Sequence, residues 1–382
     1  MKILHVIRIA GYGGAEKLLL QLLPALNNVI EVNAVIVHPE NDTAVAKDIG
    51  EKLKIENGIS VRYISYKNWY EKKVVVSLTT IINENSYNLV HSHLKHADIW
   101  MAWLKMRGRI KVPVVSTMHG YNDNYENKYG FQIKPRLFYS FYFQASKFIY
   151  SKLDGFILIS RIVSSFFEKS GLIRGKKQAI IYHGYKKPDI TEKESPRGKP
   201  DSSVFNIATP GRLIKRKGHQ YLVDALEILN TQNISVLLHI YGAGPDEARL
   251  KELVRNKNLD KLVFFHGYVD DLIERLSSSD VVVVPSLWEG FGLVFLDAFA
   301  AKVPVVAFDL PAANEIIVHR KNGLLAIPYS SQSLAENITE VLKDSGLRNS
   351  IVTAGSDDLE KKFNVDEMAR QYAAFYNKVI SE

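Results

Sequence analysis

Two successive series of short β-branched runs, each run separated from the next by a helix-period segment, constrain this chain more than any other feature. The first series comprises KILHVI (2–7), VNAVIVH (32–38), ISVRY (59–63), NLVHSH (88–93), VPVVSTMH (112–119), GFILIS (155–160) and AIIYHG (179–184). Between the first two runs, Leu18, Leu19, Leu22, Leu23 and Leu26 line one face of a helix predicted over 15–27. Strand–helix alternation of this kind predicts a parallel sheet with helices on both faces. The rhythm breaks at 186–203, which carries three prolines, many charges and almost nothing apolar, and reads as a linker. It restarts with VFNIATP (204–210), SVLLHIYG (235–242), LVFFHG (262–267), DVVVVPS (280–286) and VPVVAFD (303–309). The expected fold class is therefore α/β, with two Rossmann-like doubly wound domains at 1–185 and 204–364. Apolar positions at helical spacing from Met368 to Val379 predict a terminal helix over about 365–382, without saying on which domain it packs.

A length of 382 residues suits two domains. The absence of cysteine excludes a disulfide scaffold, a cysteine–zinc site and a thiol nucleophile, and fits a reducing compartment. The apolar opening of the chain reads as a first strand rather than a signal peptide, and no run is long enough to predict a spanning helix. The net charge of +8 is uneven. Residues 101–190 hold 16 basic and 5 acidic side chains, whereas residues 191–382 are net acidic. Such an excess suits nucleic acid, an anionic membrane or a phosphate-rich substrate. Nucleic acid is disfavoured, because no recognition motif accompanies the charge.

Four constellations could carry chemistry. GYGGAE (11–16) follows the first strand, where glycines let phosphate approach a helix N-terminus; it is equally compatible with a plain βα turn. Glu16 stands where a dinucleotide fingerprint needs a small residue, which disfavours NAD. GRLIKRKG (211–218) crowds Arg212, Lys215, Arg216 and Lys217 at a strand's carboxyl end, as a diphosphate would require, although a charge run is often a solvated face. PSLWEGFGLVFLDA (285–298) runs from a strand through a Gly-aromatic loop into a helix. It presents the backbone of Phe291, Gly292, Leu293 and Val294 to an anion, with carboxylates at Glu289 and Asp297 for sugar and ribose hydroxyls. His91, His93 and His119 fall at predicted strand ends; zinc is disfavoured because His91 and His93 are only two apart with no obvious ligating carboxylate nearby. No two Asp residues stand at i, i+2, so a metal-independent transfer is expected, with cations and helix dipoles neutralising the leaving group.

The order and spacing of GGAE (13–16), VHSH (90–93), VVSTMHG (114–120), GRLIKRKG, YGAGP (241–245), FHGYVDD (265–271), EGFGLVFLDA (289–298) and NEIIVHRKNGLLA (314–326) resemble glycosyltransferase family 4 across nearly the whole chain. The resemblance implies the GT-B fold, with two Rossmann-like domains facing a central cleft, and the terminal helix returning to the first domain. It implies retaining transfer of a hexose-type sugar from a nucleotide sugar, UDP- or GDP-linked, without cofactor or metal. Arg212 and Lys217 match the diphosphate-binding pair, Glu289 the residue holding the donor sugar, and Phe291 to Val294 the backbone contacting sugar and phosphate. Gly242 lies in a matching segment, and Gly267 to Val269 match the stretch near the base. Gly14, beside Gly13, matches the glycine near the phosphates, and His119 a histidine on the sugar. Asp297 replaces the usual second Glu and reaches one methylene less.

The acceptor expected from this likeness is a glycan or lipid-linked molecule in cell-surface polysaccharide synthesis. Residues 131–152 mix eight aromatics with Lys134, Arg136, Lys147 and Lys152. They suit either an anionic membrane interface or a buried helix with charged ends. A cytoplasmic location at the inner membrane face would follow from the first. The other functional classes open to the sequence are an inactive sugar-nucleotide-binding partner subunit and a GT-B epimerase.

Overall fold

The computed structural model describes all residues except 12, 122–125, 128–129, 132–137, 187–203 and 382, so most of the expected linker lies outside the described residues. The chain divides into two compact units. The first comprises residues 1–125, 131–186 and 363–382, the second residues 126–130 and 187–362.

The first unit begins β1 (Lys2–Arg8), α1 (Gly14–Asn27), β2 (Glu31–Pro39), α2 (Thr43–Asn57), β3 (Ser60–Tyr66), α3 (Lys72–Glu84), β4 (Leu89–His93), α4 (Leu94–Met106) and β5 (Val114–Met118). A two-stranded ribbon, β6 (Glu126–Asn127) with β7 (Gly130–Phe131), stands apart from the main sheets and, but for Phe131, is counted with the second unit. α5 (Phe141–Ser151), β8 (Gly155–Leu158), α6 (Arg161–Ser170) and β9 (Lys177–Ile180) follow. Seven strands form one sheet in the order β3-β2-β1-β4-β5-β8-β9, and the pairings are parallel. The order reverses direction at β1 and β4, where the loops after the strands open a crevice.

The second unit contains β10 (Phe205–Pro210), α7 (His219–Thr231), β11 (Val236–Tyr241), α8 (Glu247–Asn256), β12 (Val263–Gly267), α9 (Leu272–Ser277), β13 (Val281–Val284) and α10 (Leu293–Ala300). It continues with β14 (Val305–Phe308), α11 (Ala313–Ile316), β15 (Leu324–Ala326), α12 (Ser331–Lys343) and α13 (Ser345–Lys361). Its six strands are parallel in the order β12-β11-β10-β13-β14-β15, with the switch at β10 and β13. The strand β15 was not among the expected runs. Three residues are too few to show a period, and only pairing with β14 defines it.

The last helix, α14 (Val365–Ile380), belongs to the first unit and packs along α1. Met368, Tyr372, Phe375, Tyr376 and Val379 enter the same core as the leucines of α1 and the inward residues of β1 and β2. The helical spacing of those apolar residues thus marks the buried face, and Asn364 caps the helix by accepting from the N–H groups of Asp366 and Glu367. Gly155 explains the fit on the strand side, since a Cβ there would lie 3.0 Å from Val379.

Candidate active site

In the second unit the loops that leave β10, β11, β12 and β13 are tied together by their backbones. The Gly211 N–H donates to Tyr241 O at 2.9 Å, Leu213 N–H to Ala243 O at 3.0 Å, Gly242 N–H to Gly267 O at 2.7 Å and Leu287 N–H to Arg216 O at 2.8 Å. Two of these loops meet at Gly218, which has φ +68° and whose Cβ would fall 1.9 Å from Pro285 O. Only glycine fits that position. The strand-end cluster of the sequence therefore sits on a rigid shelf made largely of main chain.

The shelf brings Lys217 and Glu289 into direct contact, as an ion pair whose side chains retain only 19% and 13% of their exposure. Arg212 stands exposed in the loop after β10, while the Arg216 guanidinium lies 4.8 Å from the Trp288 ring centroid. The charge run is thus not one solvated face: Lys217 turns inward and Arg212 outward. Gly292 caps α10 at φ +95°, a turn into which a Cβ would collide with the Phe295 ring at 2.5 Å. Phe291 is buried beneath it, with Leu293 and Val294 half-buried at the helix's first turn. The first N–H groups of a helix have no partner within it, so the Gly292–Val294 backbone offers donors to an anion beside Lys217 and Glu289. Asp297 is buried on the second turn. A purely electrostatic role at the helix start fades beyond the first turn, so its placement needs another reason. Val269 is half-buried just after β12, next to the Gly242–Gly267 tie.

In the first unit Gly13 caps α1 and Gly14 opens it, with free space where a Cβ of Gly14 would stand. Glu16 is turned back to accept from the Gly13 N–H at 2.9 Å. Burial raises its carboxyl above the usual range. The acid that argued against a dinucleotide is the reciprocal cap of the helix, a role its position three residues after Gly13 could have disclosed.

The three strand-end histidines occupy two different settings. His91 and His93 are fully buried on β4. His91 bonds Tyr376 Oη at 2.5 Å and Thr117 Oγ1 at 2.8 Å, and stacks on His93 with centroids 4.2 Å apart. His93 Nε2 in turn meets His5 Nδ1 at 2.9 Å. Alternation along β4 puts both on one side, and β1 adds His5 directly across the ladder from His91. Nitrogens of His5, His91 and His93 lie within 4.8 Å of one another, yet this set does not fit a metal. Two nitrogens bond each other, His91 has both of its own engaged, and stacked rings aim their lone pairs in parallel rather than at one point.

His119 lies beyond this stack, 5.9 Å from His93 and 6.4 Å from His183 between centroids. Its Nε2 is buried with no hydrogen-bond partner among the described residues. Burial lowers its pKa to about 4, so the ring is neutral at pH 7. It lines a cavity of about 270 Å³ with Lys95, Asp98, Thr117, Tyr121 and Tyr142. Asp98 is buried there, accepting from Ser92 Oγ at 2.6 Å, and desolvation pushes its carboxyl up to about 7. Sequence motifs named no role for Asp98, Thr117, His183 or Tyr376, although Thr117 and His183 lie within quoted segments, because contacts such as His91–Thr117 and His91–Tyr376 join positions far apart in the chain.

Two family models cover most of the chain: Glycosyl transferases group 1 matches residues 190–358, and Glycosyltransferase Family 4 matches residues 12–186. This chain is a family 4 glycosyltransferase. Its architecture is the GT-B arrangement of two parallel α/β units. Among its relatives is an uncharacterized glycosyltransferase of Methanocaldococcus jannaschii, 36% identical over 44% of this chain and 43% of that protein. Another is the capsular polysaccharide biosynthesis glycosyltransferase CapM of Staphylococcus aureus, 28% identical over 47% of each. The glycosyltransferase thus matches less than half the length of either relative. The crystal structure of Anabaena HepE in complex with UDP and glucose shares its fold, with a TM-score of 0.79 at 22% identity, covering 99% of this chain and 100% of that one.

Proposed function

We propose that this glycosyltransferase retains anomeric configuration while moving a hexose-type sugar from a UDP- or GDP-sugar to a glycan or lipid-linked acceptor of a cell-surface polysaccharide. The observation that carries this reading is the shelf of the second unit, where Lys217 pairs with Glu289 in the loop that leads into α10, and Arg212 stands exposed in the same loop as Lys217. Two cations and a helix N-terminus suit a diphosphate, and a carboxylate beside them suits sugar hydroxyls. The CapM relative supports the polysaccharide setting, and HepE with UDP and glucose supports a nucleotide sugar.

In this mechanism the anomeric carbon–phosphate oxygen bond breaks first. Arg212, Lys217 and the backbone of Phe291 to Val294 take up the negative charge of the departing diphosphate. The acceptor oxygen bonds the anomeric carbon from the same face, and its proton passes to the leaving phosphate oxygen. These cations supply the charge compensation that a metal would otherwise give. Glu289 holds the donor sugar, Asp297 the ribose, and Gly242 and Val269 border the base. Gly13 and Gly14 leave room for phosphate at α1. His119, neutral by burial, serves as a hydrogen-bond partner that orients the sugar rather than as a cation. Catalysis takes place in the cytoplasm, with α5 meeting the inner membrane face; residues 132–137 of the stretch 131–152 lie outside the described residues.

Thermal shift against UDP-, GDP- and ADP-sugars tests the donor, because a ligand at 100 times its Kd adds roughly 2.7 kcal/mol of stability. Release or transfer of the sugar, with the anomer read by NMR, tests the reaction. A donor shift with neither hydrolysis nor transfer would mark a nucleotide-sugar-binding subunit instead, and an inverted product would remove the retaining mechanism.

A further inference from the structure

The exposed aromatic side chains of the first unit gather on one helical layer. In the sheet, β1 connects leftward to β2 and β4 rightward to β5, so right-handed crossovers place α1 and α4 on opposite faces. α3 and α5 pack beside α4. Trp69 and Tyr70 precede α3, Trp103 projects from α4, and Tyr139, Phe141 and Phe148 lie on or beside α5. Phe141 is 89% exposed and Tyr70 69%, far more than soluble packing asks of such residues. Between α3 and α4, Trp69, Tyr70 and Trp103 of this set border a groove of about 570 Å³ whose walls also include Val76 and Trp100, with Lys72 and Arg109 lining it. The Trp100 indole N–H donates to Trp69 O at 2.9 Å, which fixes the loop that forms one wall.

The charge around the groove is predominantly positive. Residues 67–111 contain eight Lys and Arg against three Asp and Glu. Of those acids, Asp98 is buried and Glu71 is occupied by the N–H groups of Lys67 and Asn68. Lys72, Lys73, Arg107 and Arg109 form no ion pair with any described residue, whereas Lys105 is paired with Asp154. No helix among the described residues is long and apolar enough to cross a membrane, so contact through these helices would be interfacial.

We propose that this layer is an anionic-membrane docking face and that the tryptophan groove between α3 and α4 admits a lipid acyl chain whose anionic headgroup meets Lys72 and Arg109. The proposal deepens the lipid-linked acceptor reading and rests on it only for the purpose of docking. It moves the centre of the contact from the stretch 131–152 to the groove, with α5 as its flank. Tryptophan beside uncompensated cations matches the boundary between headgroup and acyl chain, where an indole buries its ring and keeps its N–H in polar surroundings.

The whole protein would be sedimented with phosphatidylcholine vesicles, with and without phosphatidylglycerol, at low and high salt. Binding is expected only to the anionic vesicles, weakening with salt, and lipids brominated on the acyl chain should quench tryptophan emission. Lys72→Gln and Arg109→Gln should each weaken binding by about fivefold. Trp103→Ser should lower the quenching by about half, Trp69 carrying much of the rest, while leaving donor hydrolysis and circular dichroism unchanged. Absence of vesicle binding by an enzyme that still hydrolyses donor would overturn the docking face alone. Quenching unaffected by Trp103→Ser, or a concentration-dependent dimer lost in that variant, would also overturn it, the latter by assigning the face to a second copy. Vesicle binding without any donor turnover would leave the face standing and remove the transferase reading.

Discussion

Glu289→Gln separates the two partners that Lys217 must serve. In the structure Lys217 is paired with Glu289 in a half-shielded setting. A diphosphate arriving at the shelf competes with Glu289 for that ammonium. Two unit charges about 4 Å apart interact by about 4 kcal/mol at an effective dielectric of 20. Desolvation and side-chain ordering cancel most of this, leaving about 1 kcal/mol net for a pair that keeps some solvent. Removing the carboxylate charge therefore frees Lys217 and removes a like charge facing the phosphates. UDP or GDP alone should bind Glu289→Gln as well as the parent, or up to about tenfold tighter. Sugar transfer should nevertheless fall by about 100-fold or more, since the sugar loses its charged hydrogen-bond acceptor in the transition state. Isothermal titration with the nucleoside diphosphate, set beside turnover with the nucleotide sugar, reads both effects. Weaker nucleotide binding by Glu289→Gln would show that Lys217 does not change partners, and the exchange argument would fail.

Other consequences follow from the same contacts. Arg212→Ala should lower turnover by about two orders of magnitude, equivalent to roughly 3 kcal/mol of lost charge stabilisation; near-normal transfer would remove Arg212 from the diphosphate site. Tyr376→Phe deletes a hydroxyl held 2.5 Å from buried His91 and should destabilise the first unit by about 1–3 kcal/mol in denaturant titration. A change below about 0.5 kcal/mol would mean that the ring contacts, not the hydrogen bond, secure α14. The buried histidines also set an acid limit. His5, His119 and His183 are lowered from 6.5 to about 3, 4 and 3 by burial, and His91 and His93 well below 6.5. Between pH 6.5 and about 4 the unfolded chain binds more protons at these five sites, so stability is complete above 6.5 and falls on acidification. Asp98 acts in the opposite sense, since its raised carboxyl favours the folded state less as pH rises from 3.8 to about 7. The five histidines outnumber Asp98 and Glu16, whose carboxyl burial also raises, and fix the net sign, so near-ultraviolet circular dichroism across this range should show the first unit losing structure as pH falls.

The fold was legible because both sheets are buried on two faces. Val281–Val284 and Leu89–His93 are buried along their whole length, and such strands appear in sequence as unbroken apolar or β-branched runs. Leu324–Ala326 was not legible, since a three-residue edge strand has no period of its own. The placement of Arg212, Lys217 and Glu289 just after strands was legible, because the pattern marks where those strands end. The inward turn of Lys217 onto Glu289 was not, because 72 residues separate the partners and only the crossing of two loops joins them. The histidines show the same limit in reverse. Their position near strand ends left open whether they serve ligand or core; His91 and His93 point into the layer beneath α14, and whether a strand residue faces core or crevice depends on which helix covers it.

The two units also differ in what a substitution can change. The shelf of the second unit is defined by main-chain bonds among Gly211, Leu213, Gly242 and Leu287 and by the close approach at Gly218. Side-chain replacement around it leaves those bonds in place, so its shape is set by the fold and its charge by a few residues. The cavity beside His119 is made instead from side chains: Lys95, Asp98, Tyr121 and Tyr142 give it both its walls and its polarity. A site built from backbone suits the part of a substrate that many enzymes share, such as a diphosphate, whereas a site built from side chains can be rewritten one residue at a time. We place the acceptor at this cavity, next to the sugar that His119 orients, so acceptor specificity should respond to changes at Asp98 and Tyr142 that leave nucleotide affinity untouched. Asp98→Asn tests this directly, because it preserves size and an acceptor oxygen for Ser92 while removing a carboxyl that titrates near neutrality. The expected result is an altered acceptor KM and a flattened pH profile near 7, with nucleotide binding within about twofold of the parent. An unchanged acceptor KM and pH profile would confine the role of Asp98 to packing.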